Sequence, residues 1–262
     1  MEREWILDAK VTYLRTIGGP PKREHALVGL SNGQVLKLFV DNSFPIQLYR
    51  STVAVVKCEL NVSKKKVAIL DLNKNLIGFD LISQAQIFSE VNVSSFAWNS
   101  DLEDSIAFSS GGTISIKTGN LPPLNQKSEA NVIGFEGFQL FINKNDNITV
   151  MDISQSTTLV KYVEKKEFAM AYKLACLGVP DNDLRFLGIE ALQSLDFDVA
   201  EKCFVRLKDL SLADLTKKYA EEQKRSGKVN VDVLKAELLA YQGKYQESAS
   251  LYVKAGKTAE AI

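Results

Sequence analysis

The spacing of apolar residues changes once along this chain, near residue 160, from a period of about two to a period of about 3.6. Ahead of the change, short runs of Val, Ile, Leu and Phe are separated by turn residues, which predicts strands. Behind it, apolar residues recur at helical spacing. The chain therefore reads as two architectures in series, a strand array over 1–159 and a helix array over 160–262.

Four hairpins are legible in the first part. Ala26 to Leu30 and Gln34 to Val40 flank Ser31-Asn32-Gly33, where Asn-Gly supplies the positive φ angles of a tight turn. The others are Val67 to Leu70 with Leu76 to Asp80, Ser105 to Phe108 with Thr113 to Lys117 around Gly111-Gly112, and Gln139 to Ile142 with Ile148 to Asp152. Their second strands begin near Leu36, Leu76, Ile114 and Ile148, in steps of 40, 38 and 34 residues. Those steps approach the roughly 40 to 45 residues of a four-stranded propeller blade. Val11 to Ile17, Val53 to Leu60, Ser95 to Trp98 and Asn131 to Phe135 are the expected inner strands, and an outer strand is expected after each hairpin. Pro122 and Pro123 weaken the third outer strand, an edge position where proline is tolerated.

In the second part Phe168, Ala171, Tyr172, Ala175 and Cys176 form one apolar helix face, and Leu184, Leu187, Ala191, Leu192 and Leu195 form another. Further helices are expected around Phe197–Val205, Leu210–Arg225, Val231–Gln242 and Tyr245–Val253, with Gly178-Val179-Pro180 and Gly227 as stops and Ser211 with Asp214 as a capping box. Gly243, Tyr245, Ser248, Tyr252 and Ala255 have the small-and-aromatic spacing of a tetratricopeptide-type hairpin. Small residues there let helices approach while aromatics fill the groove. Helix pairs of this kind stack as an α-solenoid, and another helix is expected from Lys257. Propellers typically have 4 to 8 blades, commonly seven, and solenoids end in polar caps, so the sequence reads as a piece of something longer.

Composition narrows the function. Lys plus Arg and Asp plus Glu both total 32, with 15 basic against 16 acidic residues up to Leu159, so neither part carries a field for nucleic acid or an anionic membrane. Cys58, Cys176 and Cys203 are odd in number and far apart, which argues against a disulfide framework or a zinc site and for a reducing compartment. No apolar stretch reaches the roughly 18 to 20 residues of a membrane span, and MEREWILDAK lacks the form of a secretory signal.

Each candidate for chemistry has a structural reading that fits better. His25 is the sole histidine and leaves no partner for a metal or a nucleophile. Gly18-Gly19-Pro20-Pro21 lacks the G-K-[ST] ending of a phosphate loop and reads as a turn. Asp101, Glu103 and Asp104 have no calcium-loop spacing. Lys64-Lys65-Lys66 and the stretch Lys217–Arg225 read as a solvated loop and a solvated helix face. Asn61, Asn92 and Asn147 head glycosylation-type triplets that need secretion to be used. Trp98 reads as a wedge between blades, and Cys176 and Cys203 as small buried hydrophobes. No catalytic, cofactor-binding or metal-binding residue is assigned.

The string Ile17 to Asn42 (IGGPPKREHALVGLSNGQVLKLFVDN) resembles the second WD-repeat propeller of the intraflagellar transport protein 122 family, a subunit of complex A. FAWN at Phe96–Asn99, ACLGV at Ala175–Val179, EAL at Glu190–Leu192, LDF at Leu195–Phe197 and YQGK at Tyr241–Lys244 follow in that family's order over nearly the whole chain. The resemblance implies a partial WD-repeat β-propeller of about four blades running into a tetratricopeptide-like α-solenoid. It implies a non-enzymatic scaffold acting in retrograde ciliary transport, cilium assembly and ciliary import of membrane proteins. Its partners would be other complex A subunits and, indirectly, a dynein motor and membrane cargo, at the cilium, the ciliary base and in the cytoplasm. A vesicle-coat subunit shares this architecture and differs in location; a propeller enzyme or ligand binder would need inward polar residues at the channel.

Overall fold

The computed structural model describes residues 4–21 and 23–260, and the chain divides into two compact units, Met1–Ile153 and Ser154–Ile262. In the first, the alternating segments form four antiparallel sheets. β1 (Val11–Gly18), β2 (His25–Leu30), β3 (Gln34–Phe39) and β4 (Asn42–Arg50) make the first sheet; β5 (Val55–Leu60), β6 (Lys66–Asp71), β7 (Leu76–Asp80) and β8 (Ala85–Glu90) make the second. The third holds β9 (Val93–Trp98), β10 (Ser105–Ser110), β11 (Thr113–Thr118) and β12 (Leu124–Lys127); the fourth holds β13 (Asn131–Glu136), β14 (Gln139–Lys144) and β15 (Asn147–Asp152). Strands follow chain order in every sheet. The first strands of consecutive sheets adjoin, β1 with β5, β5 with β9 and β9 with β13, which is the packing of propeller blades.

Alternation gives each sheet two faces, and each seam is filled from both sides. Leu27 and Val35 meet Val55, Cys58, Val67 and Ile69 between the first and second blades. Ala68, Leu76 and Phe88 meet Phe96, Trp98 and Phe108 at the next seam, and Ile114 and Ile116 meet Val132, Phe135 and Leu140 at the last. Burying one such large side chain stabilises the fold by about 1.5–3 kcal/mol. Trp5, Leu7 and Ala9 lie over Val28, Leu30, Leu36 and Leu38 on the remaining face of the first blade, with Trp5 Nε1 donating to the Asn42 carbonyl at 3.2 Å. The four expected hairpins all form. Gly33 in the first has φ +84°, and a Cβ there would stand 2.4 Å from the Ser51 carbonyl oxygen.

One expectation for the strands fails. The fourth blade has no outer strand among the described residues, because the chain after β15 enters a helix, α1 (Ser156–Glu164). That helix also moves the division between units to 153/154, ahead of the change of period at 160. Its residues include Thr157, Thr158, Val160 and Val163, whose branched side chains favour strands in isolation. Tertiary packing overrides that preference by burying Thr158, Leu159, Tyr162 and Val163 along one face.

Helices α2 (Phe168–Cys176), α3 (Asp181–Gln193), α4 (Phe197–Arg206), α5 (Leu210–Ser226), α6 (Val231–Tyr241) and α7 (Tyr245–Lys254) follow, each packed on the next, with α1 also against α3 and α2 against α4. This is the stacking of helical hairpins in an α-solenoid. The connections reuse one device, a single left-handed residue between a helix end and the next N-cap: Lys166, Leu195, Lys208, Gly243 and Gly256 all have φ between 58° and 77°. Asp196 and Asp209 then cap α4 and α5 by accepting the N–H of Val199 and Leu212, each at 3.2 Å. The expected capping box is therefore misplaced, since Ser211 already lies inside α5. Gly227 ends α5 in the left-handed conformation as expected.

Close approach occurs where the sequence supplies small residues. Ser248 is buried and its Oγ donates to the Ala236 carbonyl at 2.8 Å, drawing α7 onto α6. Tyr245, expected to fill a groove, is instead 71% exposed. The helix expected from Lys257 is a 3₁₀ turn at Thr258–Glu260, and its continuation at 261–262 lies outside the described residues.

Two glycine exchanges separate packing from backbone strain. A Cβ at Gly188 would meet the Phe204 ring at 2.8 Å and the Cys203 Cβ at 3.0 Å, so Gly188→Ala should lower stability by about 1–3 kcal/mol despite alanine's higher helix propensity. Lys208 is exposed with φ 58°, so Lys208→Gly should raise stability by about 0.5–1 kcal/mol. Thermal melts of both variants check the pair; equal shifts of the same sign would refute it.

Candidate functional site

Charged and polar groups meet at the seams between blades, some of them singled out in the sequence (Trp98, Asp101, Asp104, Lys64, Lys66) and some not (Arg15, Lys57, Glu59). Glu59 on β5 is buried and ion-paired with Arg15 of β1 and with Lys57 of its own strand, the latter at 3.1 Å. Lys57 Nζ also donates to the Phe96 carbonyl at 2.6 Å and lies 4.7 Å from the centre of the Phe96 ring. Trp98 Nε1 donates to the Glu59 carbonyl at 3.2 Å while its ring is buried edge-on to Phe88. Trp98 is thus a wedge between the second and third blades. One carboxylate with two cations and several hydrogen bonds satisfies what burial alone would penalise.

Two asparagines to which the sequence assigned no structural role, Asn61 of a glycosylation-type triplet and Asn99 of the FAWN string, do equivalent work one blade apart. Asn61, just past β5, accepts the N–H of Lys65 and Lys66 through Oδ1, each at 3.0 Å, and donates from Nδ2 to the Glu103 carbonyl of the next blade at 3.0 Å. Asn99, just past β9, accepts the N–H of Asp101 and Leu102, each at 2.9 Å, and donates from Nδ2 to the Gly137 carbonyl of the fourth blade at 2.9 Å. Each side chain closes its own loop and fastens the following one. The signal was present in the sequence: Asn61 and Asn99 stand at the same 38-residue step as Leu76 and Ile114.

The acidic and basic clusters belong to these seams. Asp101 Oδ2 accepts the Gly137 N–H at 2.9 Å, and Asp104 pairs with Lys66 across the second seam. Lys64 Nζ donates to the Ile17 carbonyl of the first blade at 3.0 Å. Lys64 and Lys66, expected in a solvated loop, are therefore inter-blade ties, and only Lys65 of the three keeps that description. Asn61 is 2% exposed with both amide atoms engaged, so folding hides the first of the glycosylation-type triplets, while Asn92 and Asn147 lie on the surface.

Elsewhere, Gly18–Pro21 forms the turn between β1 and β2; Lys22 of that loop lies outside the described residues. His25 starts β2 with its ring edge-on to Phe39 at 4.5 Å, and desolvation together with the charges of Lys37 and Lys64 holds its pKa below the usual value. In the helical unit Lys217 faces Glu201 at 3.8 Å, Lys218 pairs with Glu237 at 2.7 Å and Arg225 with Glu221 at 3.2 Å, a helix face of surface ion pairs. Cys203 is buried as expected, but Cys176 is exposed, because it lies at the C-terminal end of α2 beyond the buried residues Leu174 and Ala175. Burial pushes the thiols of Cys58 and Cys203 up to about 12. Among the described residues no group of three or more His, Cys, Asp or Glu is arranged to hold a metal, and no helix is long and apolar enough to cross a membrane.

What the arrangement offers is surface. Phe44, Ile82, Leu72 and Val91 are exposed on loops and edges of the first two blades, and Tyr241 and Tyr245 on the last helices. A hollow of about 690 Å³ in the helical unit is bordered by Lys166, Phe168, Asp196, Phe197, Glu201 and Lys224. Such positions are suited to protein contacts.

Comparison with known proteins adds independent findings. The family model described as IFT122 second beta-propeller matches residues 1–148, and that described as IFT122, TPR domain matches residues 155–262. The Intraflagellar transport protein 122 homolog of Homo sapiens is 41% identical over 97% of this chain, that of Xenopus tropicalis 40% over 100%, and that of Danio rerio 37% over 100%. The chain spans about a fifth of the length of these relatives, 20% to 22%.

Three measurements check the seams and the thiols. Asn99→Ala should lower stability by about 2–3 kcal/mol, since it leaves buried loop groups unpaired, whereas Lys65→Ala should change it by less than about 0.5 kcal/mol. Under native conditions near neutral pH an aromatic disulfide reagent should label Cys176 alone, with Cys58 and Cys203 reacting only on unfolding. Because the two buried thiols keep their protons in the folded state while unfolded thiols ionise from about pH 9, stability should fall as pH rises from about 9 to about 12. Native labelling of three thiols, or stability flat across that range, would contradict this.

Proposed function

The chain belongs to the IFT122 family, and from that premise we propose that it is a non-enzymatic scaffold portion of intraflagellar transport complex A. Its work is retrograde ciliary transport, cilium assembly and ciliary import of membrane proteins, done through protein contacts. The partners are the other complex A subunits and, through them, a dynein motor and membrane cargo, at the cilium, the ciliary base and in the cytoplasm. The observation that carries the reading is about 40% identity with IFT122 homologues along the entire chain, with propeller and helical segments in the same order.

The physical chemistry supports a scaffold. Blade-to-blade ties make the loops of neighbouring blades into a continuous, rigid platform, and stacked helical hairpins present long surfaces whose contacts are local. Balanced charge fits partners held by apolar and aromatic anchors in place of a single-sign field.

The test uses the full-length protein in ciliated cells. Tagged protein should co-purify with complex A subunits, and deletion of the segment corresponding to this chain should remove them from the eluate and leave cargo stranded at ciliary tips. Recovery as a lone monomer, with ciliary traffic unchanged by the deletion, refutes the proposal.

A further inference from the structure

Where the third blade meets the fourth, two adjoining hollows of about 310 and 460 Å³ share Gly111, Gly112, Ser128 and Glu129 as their common wall. The polar groups at this place are ordered in one direction. Ser94 Oγ donates to Asn131 Oδ1 at 2.9 Å, so its proton is committed. Ser109 Oγ, 2.7 Å away, must then donate to Ser94, and Ser95 Oγ, 2.8 Å from Ser109, must donate to Ser109 while accepting the Val132 N–H at 2.6 Å. The chain runs Val132, Ser95, Ser109, Ser94, Asn131, each bond polarising the next. It ends by fixing the Asn131 amide with its oxygen occupied and its Nδ2 hydrogens without a partner among the described residues.

The far hollow continues the excess of donors. Lys127 and Lys144 border it, both exposed and in no ion pair among the described residues, and Glu129 is the one acid among the residues that line the two hollows. Gly111 and Gly112, at φ +55° and +78°, turn between β10 and β11 and present backbone with no side chain to hold another chain away. A donor amide at one end, two ammonium groups at the other, one carboxylate for an N–H and bare backbone between them complement a peptide that is rich in acceptors.

We propose that this groove binds an extended acidic peptide segment of a partner protein: its main-chain carbonyls meet Asn131 and the glycine turn, and its carboxylates meet Lys127 and Lys144. The proposal concerns this face of the chain alone and does not depend on membership of a transport complex.

The experiment is fluorescence anisotropy of the whole chain with labelled decaglutamate and decaglutamine peptides at about 50 and 150 mM salt. Decaglutamate should bind, decaglutamine at least tenfold more weakly, and added salt should weaken the former. The double exchange Lys127→Glu with Lys144→Glu should weaken decaglutamate at least tenfold. Lys65→Glu with Lys74→Glu, an equal charge change at exposed lysines elsewhere, should leave it within twofold. Asn131→Asp keeps the acceptor for Ser94 and replaces the donors, and should weaken binding at least threefold; where that variant melts early, the lysine pairs decide. No binding of decaglutamate, equal binding of both peptides, or equal loss in the two lysine pairs overturns the proposal.

Discussion

A sheet with two apolar faces cannot stand alone in water, and the strand unit is organised around that fact. Each blade needs a neighbour to cover its face, and the neighbour must also complete the hydrogen bonds of the loop it shields. Trp98 and Asn99 are adjacent in sequence and serve the two needs in turn, the ring filling the second seam and the amide reaching Gly137 across the third. A blade removed from the row would expose both the apolar face and the unpaired loop. The polar ties thereby fix the register in which apolar faces meet, something that hydrophobic burial, being non-directional, does not do.

The helical unit solves the same problem with different parts. Its helices bury one stripe each, and their separation is set by Gly188 in α3 against Phe204 and by Ser248 in α7 against Ala236. Direction is set by the connections, where one left-handed residue reverses the chain before an N-cap. At three of these turns a lysine or leucine stands where glycine would be less strained. The turn geometry is imposed by packing on both sides, so the side chain tolerates a conformation its own sterics disfavour.

Strong periodicity was legible: every hairpin, and all the helices from α2 to α7, follow from spacing and turn residues. Legibility failed where local preference and tertiary demand disagree. The β-branched residues of α1 speak for a strand and form a helix because Leu159 and Tyr162 have a face to bury. The acidic triplet and the lysine run looked like solvated loops because charge near turns is ordinarily solvated; their ties to Ile17, Lys66 and Gly137 link residues some 36 to 47 positions apart. Asn61 and Asn99 were readable in principle, but only by asking which polar residue repeats with the blade. The serine relay was not readable, since it joins Ser94, Ser109 and Asn131 from three strands.

These seams also bear on how the chain recognises others. The charged groups that would give a propeller face a strong field, Arg15, Lys57, Lys66, Glu59 and Asp104, are turned toward one another and neutralised between blades. The surface left for partners carries scattered apolar residues and individual charges unpaired among the described residues, such as Lys127 and Lys144, so specificity comes from shape and from the pairing of individual groups. At the seam between the third and fourth blades the same kind of network takes another form. Its bonds run outward through hydroxyls and end in an amide that faces the groove with donors unfilled, so that a seam elsewhere closed upon itself is open to a second chain. Rigidity and recognition thus draw on one set of polar contacts, and which of the two a seam serves depends on whether its last donor finds an acceptor inside the fold.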